Sequence, residues 1–159
     1  MLSEREGQYL MQAIAWSRTA RNRGNRPFGA VIITSDGTLV GETYCNTSET
    51  GDCTCHAETN TVRLATPATR REVLATSTRY SSGEPCVMCA GAIFWSGIRR
   101  VVFGVDAVSL RVFRGEAAEQ RDADLSCRDV FAASPHAIEC IGPVVLAEAS
   151  EPHVGFWKT

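Results

Sequence analysis

The spacing of apolar residues near the start of the chain predicts an amphipathic helix over residues 4–22. Leu10 and Ile14 lie four positions apart, so they share one face of a helix, with charged residues interleaved between them. Ser3 followed by Glu6 has the spacing of a capping box, in which each residue satisfies a backbone N–H at the helix start. The chain therefore opens with a helix that has a defined beginning.

Short β-branched runs and further helical segments alternate along the rest of the chain. Ser35-Asp36-Gly37 predicts a hairpin turn between the first two strands. The segment 86–96 is apolar on nearly all sides, so we expect a buried helix there. Residues 106–125 show no clear period and are assigned partial helix or loop. The alternation predicts a sheet that contains parallel pairs and is covered by helices. Strands are predicted over 29–34, 38–44, 72–80, 100–105 and 137–141, and helices over 56–65, 86–96 and 126–133.

Composition is that of an ordinary globular chain. The 159 residues fit one domain over 1–159 with a sizeable core. No apolar run approaches a membrane span, and the charged N-terminus has no signal-peptide core, so we expect a cytoplasmic protein with no membrane partner.

The charge pattern argues against a nucleic-acid partner. A formal net charge of −2 gives no basic footprint for tight binding to phosphates, and the chain after Gly115 is acid-rich. Four arginines do cluster near the end of the first helix, and they form either a solvated face or a contact for a phosphate. These residues are Arg18, Arg21, Arg23 and Arg26.

The seven cysteines are odd in number and unevenly spaced, which argues against a disulfide framework and favours metal binding or catalysis. Two motifs stand out, His56-Ala57-Glu58 and the Pro85–Cys89 segment PCVMC. His56, Cys86 and Cys89 can supply the three protein ligands of a catalytic Zn²⁺, leaving one position open for water. Glu58 then remains free to carry protons as the catalytic residue.

Alternative interpretations of the cysteines are a redox pair, chance, or a structural zinc. A structural zinc needs a fourth protein ligand, for which Cys53 and Cys55 are candidates. The complete H-x-E…P-C-x-x-C pattern matches the signature of zinc-dependent deaminases and favours the catalytic interpretation.

The segments CHAE at 55–58, PCVMCAGAIFWS at 85–96 and RPFGAVI at 26–32 together resemble the cytidine/deoxycytidylate deaminase superfamily. Within it, the chain is similar to the branch that holds bacterial guanine deaminases and tRNA adenosine deaminases. The resemblance implies a three-layer α/β/α sandwich with a five-stranded mixed sheet, a homodimer, bound Zn²⁺ and hydrolytic removal of a ring amino group with Glu58 as the proton shuttle.

The same resemblance implies a set of substrate-binding groups. Asn46 matches an asparagine that hydrogen-bonds the base, the Ala57 N–H faces a ring acceptor, and Phe28 flanks the ring. From the residues alone, the alternative for Asn46 is a turn-forming residue and the alternative for Phe28 is a core residue. Residues 143–159 resemble a C-terminal flap over the active site, and their alternative is an ordinary tail. The flap residues expected to reach the substrate are Glu151, His153, Phe156 and Trp157.

The expected substrate is a purine base or nucleoside, with guanine or guanosine first. A tRNA adenosine deaminase ranks second and a cytosine-type deaminase third, and a non-catalytic, zinc-stabilised dimer module is the rival class. Two departures bear on the base: the Asp52–Cys55 stretch before His56 is unusual for the family, and the segment DAVSLRVFRGE at 106–116 places no clear acid near the site.

Overall fold

The computed structural model describes residues 1–115 and 122–157. In these residues the chain forms a five-stranded sheet in the order β2-β1-β3-β4-β5. Strand β1 is antiparallel to β2 and β3, and β4 is parallel to β3 and β5, which confirms the expected mixed sheet. The strands are β1 Gly29–Ile33, β2 Leu39–Tyr44, β3 Thr78–Gly83, β4 Arg100–Val105 and β5 Glu139–Ile141.

Helices cover both faces of the sheet. Successive residues of a strand point to opposite faces, so Val31 and Val102 pack with α1 whereas Ile32 and Val101 pack in a second core with α5 and α7. The three-layer α/β/α sandwich is therefore confirmed. The helices are α1 Glu4–Asn22, α2 Thr47–Thr50, α3 Ala57–Ala65, α4 Arg71–Ala75, α5 Val87–Ser96, α6 Ala107–Arg114, α7 Cys127–Ala132 and α8 Ala147–Ser150, followed by a 3-10 turn at Glu151–His153.

Helix α1 begins at the predicted residue and lies unusually close to the sheet. The Ser3 N–H donates to Glu6 Oε2 at 2.8 Å and the Glu6 N–H donates to Ser3 Oγ at 3.3 Å, which completes the capping box. A Cβ atom added at Gly29 would lie 2.2 Å from the carbonyl oxygen of Ala13. Only glycine at this position allows the backbones of α1 and β1 to approach so closely.

The strand predicted over 72–80 is wrong in its first half. Residues 71–75 form α4, and β3 begins only at Thr78. The apolar run Val73-Leu74-Ala75 is too short to distinguish the period of a helix from that of a strand. Leu74 is buried, but it lies on helix α4 and not on a strand.

The expectation that the 86–96 helix is buried holds for its inner face only. Cys89, Ala90 and Ile93 face the core, but the side chain of Trp95 is 76% exposed on the outer face of α5. Among the described helices, none combines the length and apolar character needed to cross a membrane.

Candidate active site

Two helix starts bring the motif residues together. His56 is the N-cap residue of α3, and Cys86 is the N-cap residue of α5, whose first turn contains Cys89. Helices α3 and α5 lie against each other on the same face of the sheet. The partial positive charge at both helix starts favours anionic side chains at this point.

The three side chains have the spacing of ligands around one ion. His56 Nδ1 lies 3.6 Å from Cys86 Sγ and 3.6 Å from Cys89 Sγ, and the two sulfur atoms are 3.5 Å apart. Tetrahedral Zn²⁺ with bonds of about 2.0–2.3 Å separates its ligand atoms by roughly 3.5–3.8 Å. The arrangement therefore fits zinc.

Neither of the other candidate thiols belongs to this group. Among the described His, Cys, Asp and Glu side chains, the metal-ligand group consists of His56, Cys86 and Cys89. Cys53 is exposed, and Cys55 Sγ lies 3.8 Å from an Arg63 nitrogen outside the group. The fourth position needed for a structural zinc is thus not filled by either cysteine, which favours an open, catalytic geometry.

The protonation of the two thiols differs because they share one hydrogen bond. The hydrogen bond between the Cys86 and Cys89 thiols is the largest cause that lowers the pKa of Cys86 to about 4. The same hydrogen bond, together with burial, raises the pKa of Cys89 well above its usual value. A divalent cation between the two sulfurs would favour the thiolate at both positions, because metal ligation deprotonates thiols.

Glu58 lies beside the metal-ligand group without joining it. Its side chain is 4% exposed, and its Oε2 is 3.5 Å from Cys89 Sγ. Burial raises the pKa of Glu58, while the charges of Arg79 and His56 oppose that shift. A buried carboxyl with a raised pKa is suited to exchange protons near neutral pH.

A small cavity of about 20 Å³ opens beside the ligand group, which is room for about one water molecule. Sequence reasoning missed five of its lining residues. Arg26 lies within the RPFGAVI motif, Glu84 adjoins the cysteine motif and Cys45 adjoins Asn46, so proximity was a usable signal for these three, whereas Arg114 and Asp122 had none. The complete lining is Arg26, Phe28, Cys45, His56, Glu58, Glu84, Cys86, Arg114 and Asp122.

Charged side chains form part of the cavity wall. Glu84 accepts hydrogen bonds from the Ala107 N–H and the Ser126 hydroxyl, each at 2.9 Å, and so joins the starts of α6 and α7 to the end of β3. Arg114 forms a 2.7 Å ion pair with Asp122. The segment with no clear sequence pattern thus supplies part of the pocket through α6, while its residues 116–121 lie outside the described part of the chain.

The last described residues, 147–157, form what we call the closing segment, and the arginine cluster holds it. Arg21 Nη1 donates to the carbonyl oxygens of Pro152 and Val154, each at 2.8 Å. Arg18 pairs with Glu151 at 2.7 Å. The arginine cluster is therefore neither a bare solvated face nor a free phosphate contact at these two positions.

The closing segment packs aromatic rings against the pocket. His153 is 1% exposed, and its ring centre lies 5.2 Å from that of Phe28. Trp157 stacks on His153, donates its Nε1–H to His153 Nδ1 at 3.2 Å, and lies 4.7 Å from the Arg114 guanidinium. Burial, followed by the charges of Arg114 and Arg21, lowers the pKa of His153 to about 3, so its ring is neutral at physiological pH.

The other residues predicted to bind substrate lie at varying distances from the pocket. Ala57 is the first residue of α3, so its N–H has no acceptor within the helix. Asn46 Oδ1 accepts from Asn60 Nδ2 at 2.8 Å, next to the pocket residue Cys45. Phe156 packs edge-on against Trp157. Glu151, by contrast, lies on the surface in its pair with Arg18, so the structure does not bring it to the pocket.

A mixed sheet that presents a His/Cys/Cys group and an adjacent buried carboxyl at two helix starts is typical of a zinc-dependent hydrolase. The sequence profile of the cytidine and deoxycytidylate deaminase zinc-binding region matches residues 3–105. The chain belongs to this family and is a zinc-dependent deaminase.

Three relatives illustrate the range of the family. The Schizosaccharomyces pombe (strain 972 / ATCC 24843) protein named "Probable cytosine deaminase" is 43% identical over 98% of this chain and 94% of its own length. Guanine deaminase of Bacillus subtilis (strain 168) is 34% identical over 62% of this chain and 63% of its own. A solved structure from a study of A-to-I editing by tRNA:A34 deaminases has a TM-score of 0.72 and 30% identity, covering 92% of this chain and 99% of that one.

Proposed function

We propose that the protein removes the amino group from a free nucleobase by hydrolysis, and that cytosine is its preferred base. The observation that carries this proposal is the small cavity whose lining residue Phe28 is covered by His153 and Trp157 of the closing segment. Guanine, the base ranked first from the sequence, becomes the second candidate.

Closure of the pocket supports a free base over a nucleoside or a tRNA. A nucleoside carries a ribose on its ring, and a tRNA carries the rest of its strand, so both need an open side. Here the side next to Phe28 is covered by His153 and Trp157. The acidic balance of the chain also offers little attraction to phosphates.

The size of the cavity and the extent of sequence similarity support a single six-membered ring. A cavity of about 20 Å³ needs less expansion to hold a pyrimidine than a purine. The S. pombe relative matches across the closing segment as well as the metal motifs, since it covers 98% of this chain. The B. subtilis guanine deaminase matches over only 62%.

The proposed roles follow from the geometry of the site. His56, Cys86 and Cys89 hold Zn²⁺, which when bound lowers the pKa of water and supplies a nucleophile at neutral pH. Glu58 takes up a proton and delivers it to the ring nitrogen, which makes the neighbouring carbon electrophilic and assists departure of ammonia.

Three further groups orient the ring. The Ala57 N–H is free of the helix ladder and can donate to a ring carbonyl. Because Asn46 Oδ1 is engaged by Asn60, the amide nitrogen of Asn46 is the atom left to donate to the base. Phe28 offers an aromatic edge or face to a planar heterocycle.

One observation favours guanine as the alternative. Two carboxylates, Glu84 and Asp122, line the pocket, and guanine presents ring and exocyclic N–H donors that carboxylates accept. If Asp122 leaves its ion pair with Arg114, its carboxylate can accept hydrogen bonds from the N–H groups of guanine.

Exposed apolar side chains support the expected homodimer. Leu64 on α3 and Val87 and Trp95 on α5 are exposed on neighbouring helices. Apolar side chains grouped on a surface mark sites of association. Trp95→Lys should shift the mass measured by light scattering from dimer to monomer.

Ammonia release tests the substrate proposal. Purified zinc-loaded protein is assayed with cytosine, guanine, adenine, cytidine, guanosine and a tRNA anticodon stem, with Glu58→Gln as the control. We expect release from cytosine at a higher kcat/KM than from guanine, and none from the nucleosides or the tRNA. Preference for guanine would replace the base, and activity on tRNA alone would overturn the free-base proposal.

A further inference from the structure

Arg79, at the second position of β3, is a completely buried cation packed against α3. Its side chain is 0% exposed and is the largest of the fully buried side chains. Its Nη2 donates to Thr61 Oγ1 at 3.0 Å and its Nε donates to Ser81 Oγ at 3.2 Å. Its Nη1 has no hydrogen-bond partner among the described residues, and no described carboxylate lies within ion-pair distance. Neutral hydroxyl groups alone thus solvate this charge.

A buried charge is unfavourable unless an opposite charge nearby compensates it. Although burial lowers the pKa of Arg79, an arginine starts so high that it stays protonated at neutral pH. The anionic groups whose charges act on Arg79 are Glu58 and Cys89, and both are buried.

The metal ligands, Glu58 and a bound zinc ion together carry a net negative charge that a buried cation can compensate. Two thiolates, from Cys86 and Cys89, and the carboxylate of Glu58 bring three negative charges, while neutral His56 brings none. A zinc ion bound there contributes two positive charges, so one negative charge remains. Arg79 supplies the positive charge that makes this buried group neutral.

Hydrogen bonds also connect Arg79 to the backbone that carries the site. Thr61 Oγ1, which accepts from Arg79, donates to the carbonyl oxygens of Ala57 and Glu58 at 3.1 and 2.9 Å. Arg79 thereby joins β3, which leads into the cysteine motif, to the first turn of α3. The positive charge of Arg79 and its hydrogen bond to Thr61 therefore both act on the part of α3 that carries His56 and Glu58.

We propose that Arg79 is a positioning residue that compensates the negative charge of the metal-ligand group from within the core and so strengthens zinc binding. This inference rests on the ligand assignment made under the proposed function. It does not depend on which base the enzyme accepts.

The test is the zinc dissociation constant of the purified full-length protein, measured by competition with a chromophoric chelator at pH 7. Arg79→Leu removes the charge and should weaken zinc binding by about 10- to 100-fold, the usual effect of losing a partner of the ligands. Arg79→Lys keeps the charge and should restore most of the affinity. Thr61→Val removes the hydroxyl and keeps the charge, so its affinity should fall less than that of Arg79→Leu.

Leu74→Ala is the matched control, because it creates a cavity in the core near α5 without altering charge. It should lower the melting temperature of the apoprotein and leave the zinc dissociation constant unchanged. If Arg79→Leu does not fold, Arg79→Gln replaces it in the comparison with Arg79→Lys. Gln and Lys both end in a polar group, and only Lys carries a charge.

Two results would overturn the role of Arg79. One is wild-type zinc affinity in both the Leu and the Gln variants, and the other is an equal loss of affinity in Leu74→Ala, which would make affinity a consequence of stability. A wild-type protein that binds no zinc would instead refute the ligand assignment itself. The two failures are therefore distinguishable.

Discussion

Replacing Arg21 by methionine should release the closing segment while the rest of the fold remains intact. Arg21 lies in the last turn of α1 and donates from one nitrogen to the carbonyl oxygens of Pro152 and Val154. Methionine keeps most of the aliphatic packing and removes both hydrogen bonds. Arg23, the C-cap residue of α1, pairs with Glu49 instead. Arg23→Met is therefore a matched control at the same end of the helix.

The size of the effect follows from the two hydrogen bonds. A hydrogen bond from a charged donor contributes about 1.5–3 kcal/mol when buried. Because one of these bonds is half-buried and the other exposed, about 1 kcal/mol for each is the appropriate value. A total of about 2 kcal/mol corresponds to a roughly 30-fold change in the ratio of docked to undocked segment.

Hydrogen–deuterium exchange of a peptide covering residues 147–157 measures that ratio, since exchange there requires the segment to leave the protein surface. We expect exchange about 30-fold faster in Arg21→Met than in wild type. Peptides from the sheet should be unaffected, and Arg23→Met should match wild type. Equal exchange in wild type and Arg21→Met would show that ring packing on Phe28, and not Arg21, holds the segment.

Three further predictions concern the chemistry, the packing and the pH response. Glu58→Gln should keep its zinc, measured by metal analysis, and lose about 10²–10⁴-fold in ammonia release, because the proton carrier is gone. Gly29→Ala should lower the free energy of unfolding in urea by about 3 kcal/mol through its clash with Ala13, whereas Gly7→Ala, with nothing within 4 Å, should not destabilise. The pKa of about 3 for His153 lies below its unfolded value of 6.5, so the stability of the fold should fall as pH drops below about 6.5. The difference between the melting temperatures at pH 7 and pH 5 should therefore be smaller for His153→Phe than for wild type.

The fold and the metal-ligand group were predictable because their signals are local. The capping box at Ser3 and Glu6 and the alternation of buried strand residues each depend on neighbours in sequence. The spacing of Cys86 and Cys89 likewise places both thiols on one turn of a helix. His56, at the start of another helix, completes the ligand group once these two helix starts meet.

The pocket wall was not predictable for the opposite reason. Arg114 and Asp122 come together through the packing of α6, a contact that no periodicity in residues 106–125 indicates. Glu151 was misplaced because an acidic residue in a C-terminal segment has no sequence signal for which partner it will meet, and Arg18 lies 133 positions away. Helix α4 was missed because three apolar residues fit a strand and a helix equally well.

The metal-ligand group and part of the surroundings of the pocket lie in different stretches of the chain. The family profile ends at residue 105, after the metal motifs and β4. Arg114 in the pocket lining and His153 and Trp157 packed on Phe28 follow it, whereas the lining residues Phe28 and Cys45 precede it. Under the proposed function, changes in α6 or the closing segment would alter the accepted base without disturbing the ligand group. Helix α1 contacts both stretches of the chain. Its inner face packs on the sheet, and Arg18 and Arg21 near its end hold the closing segment.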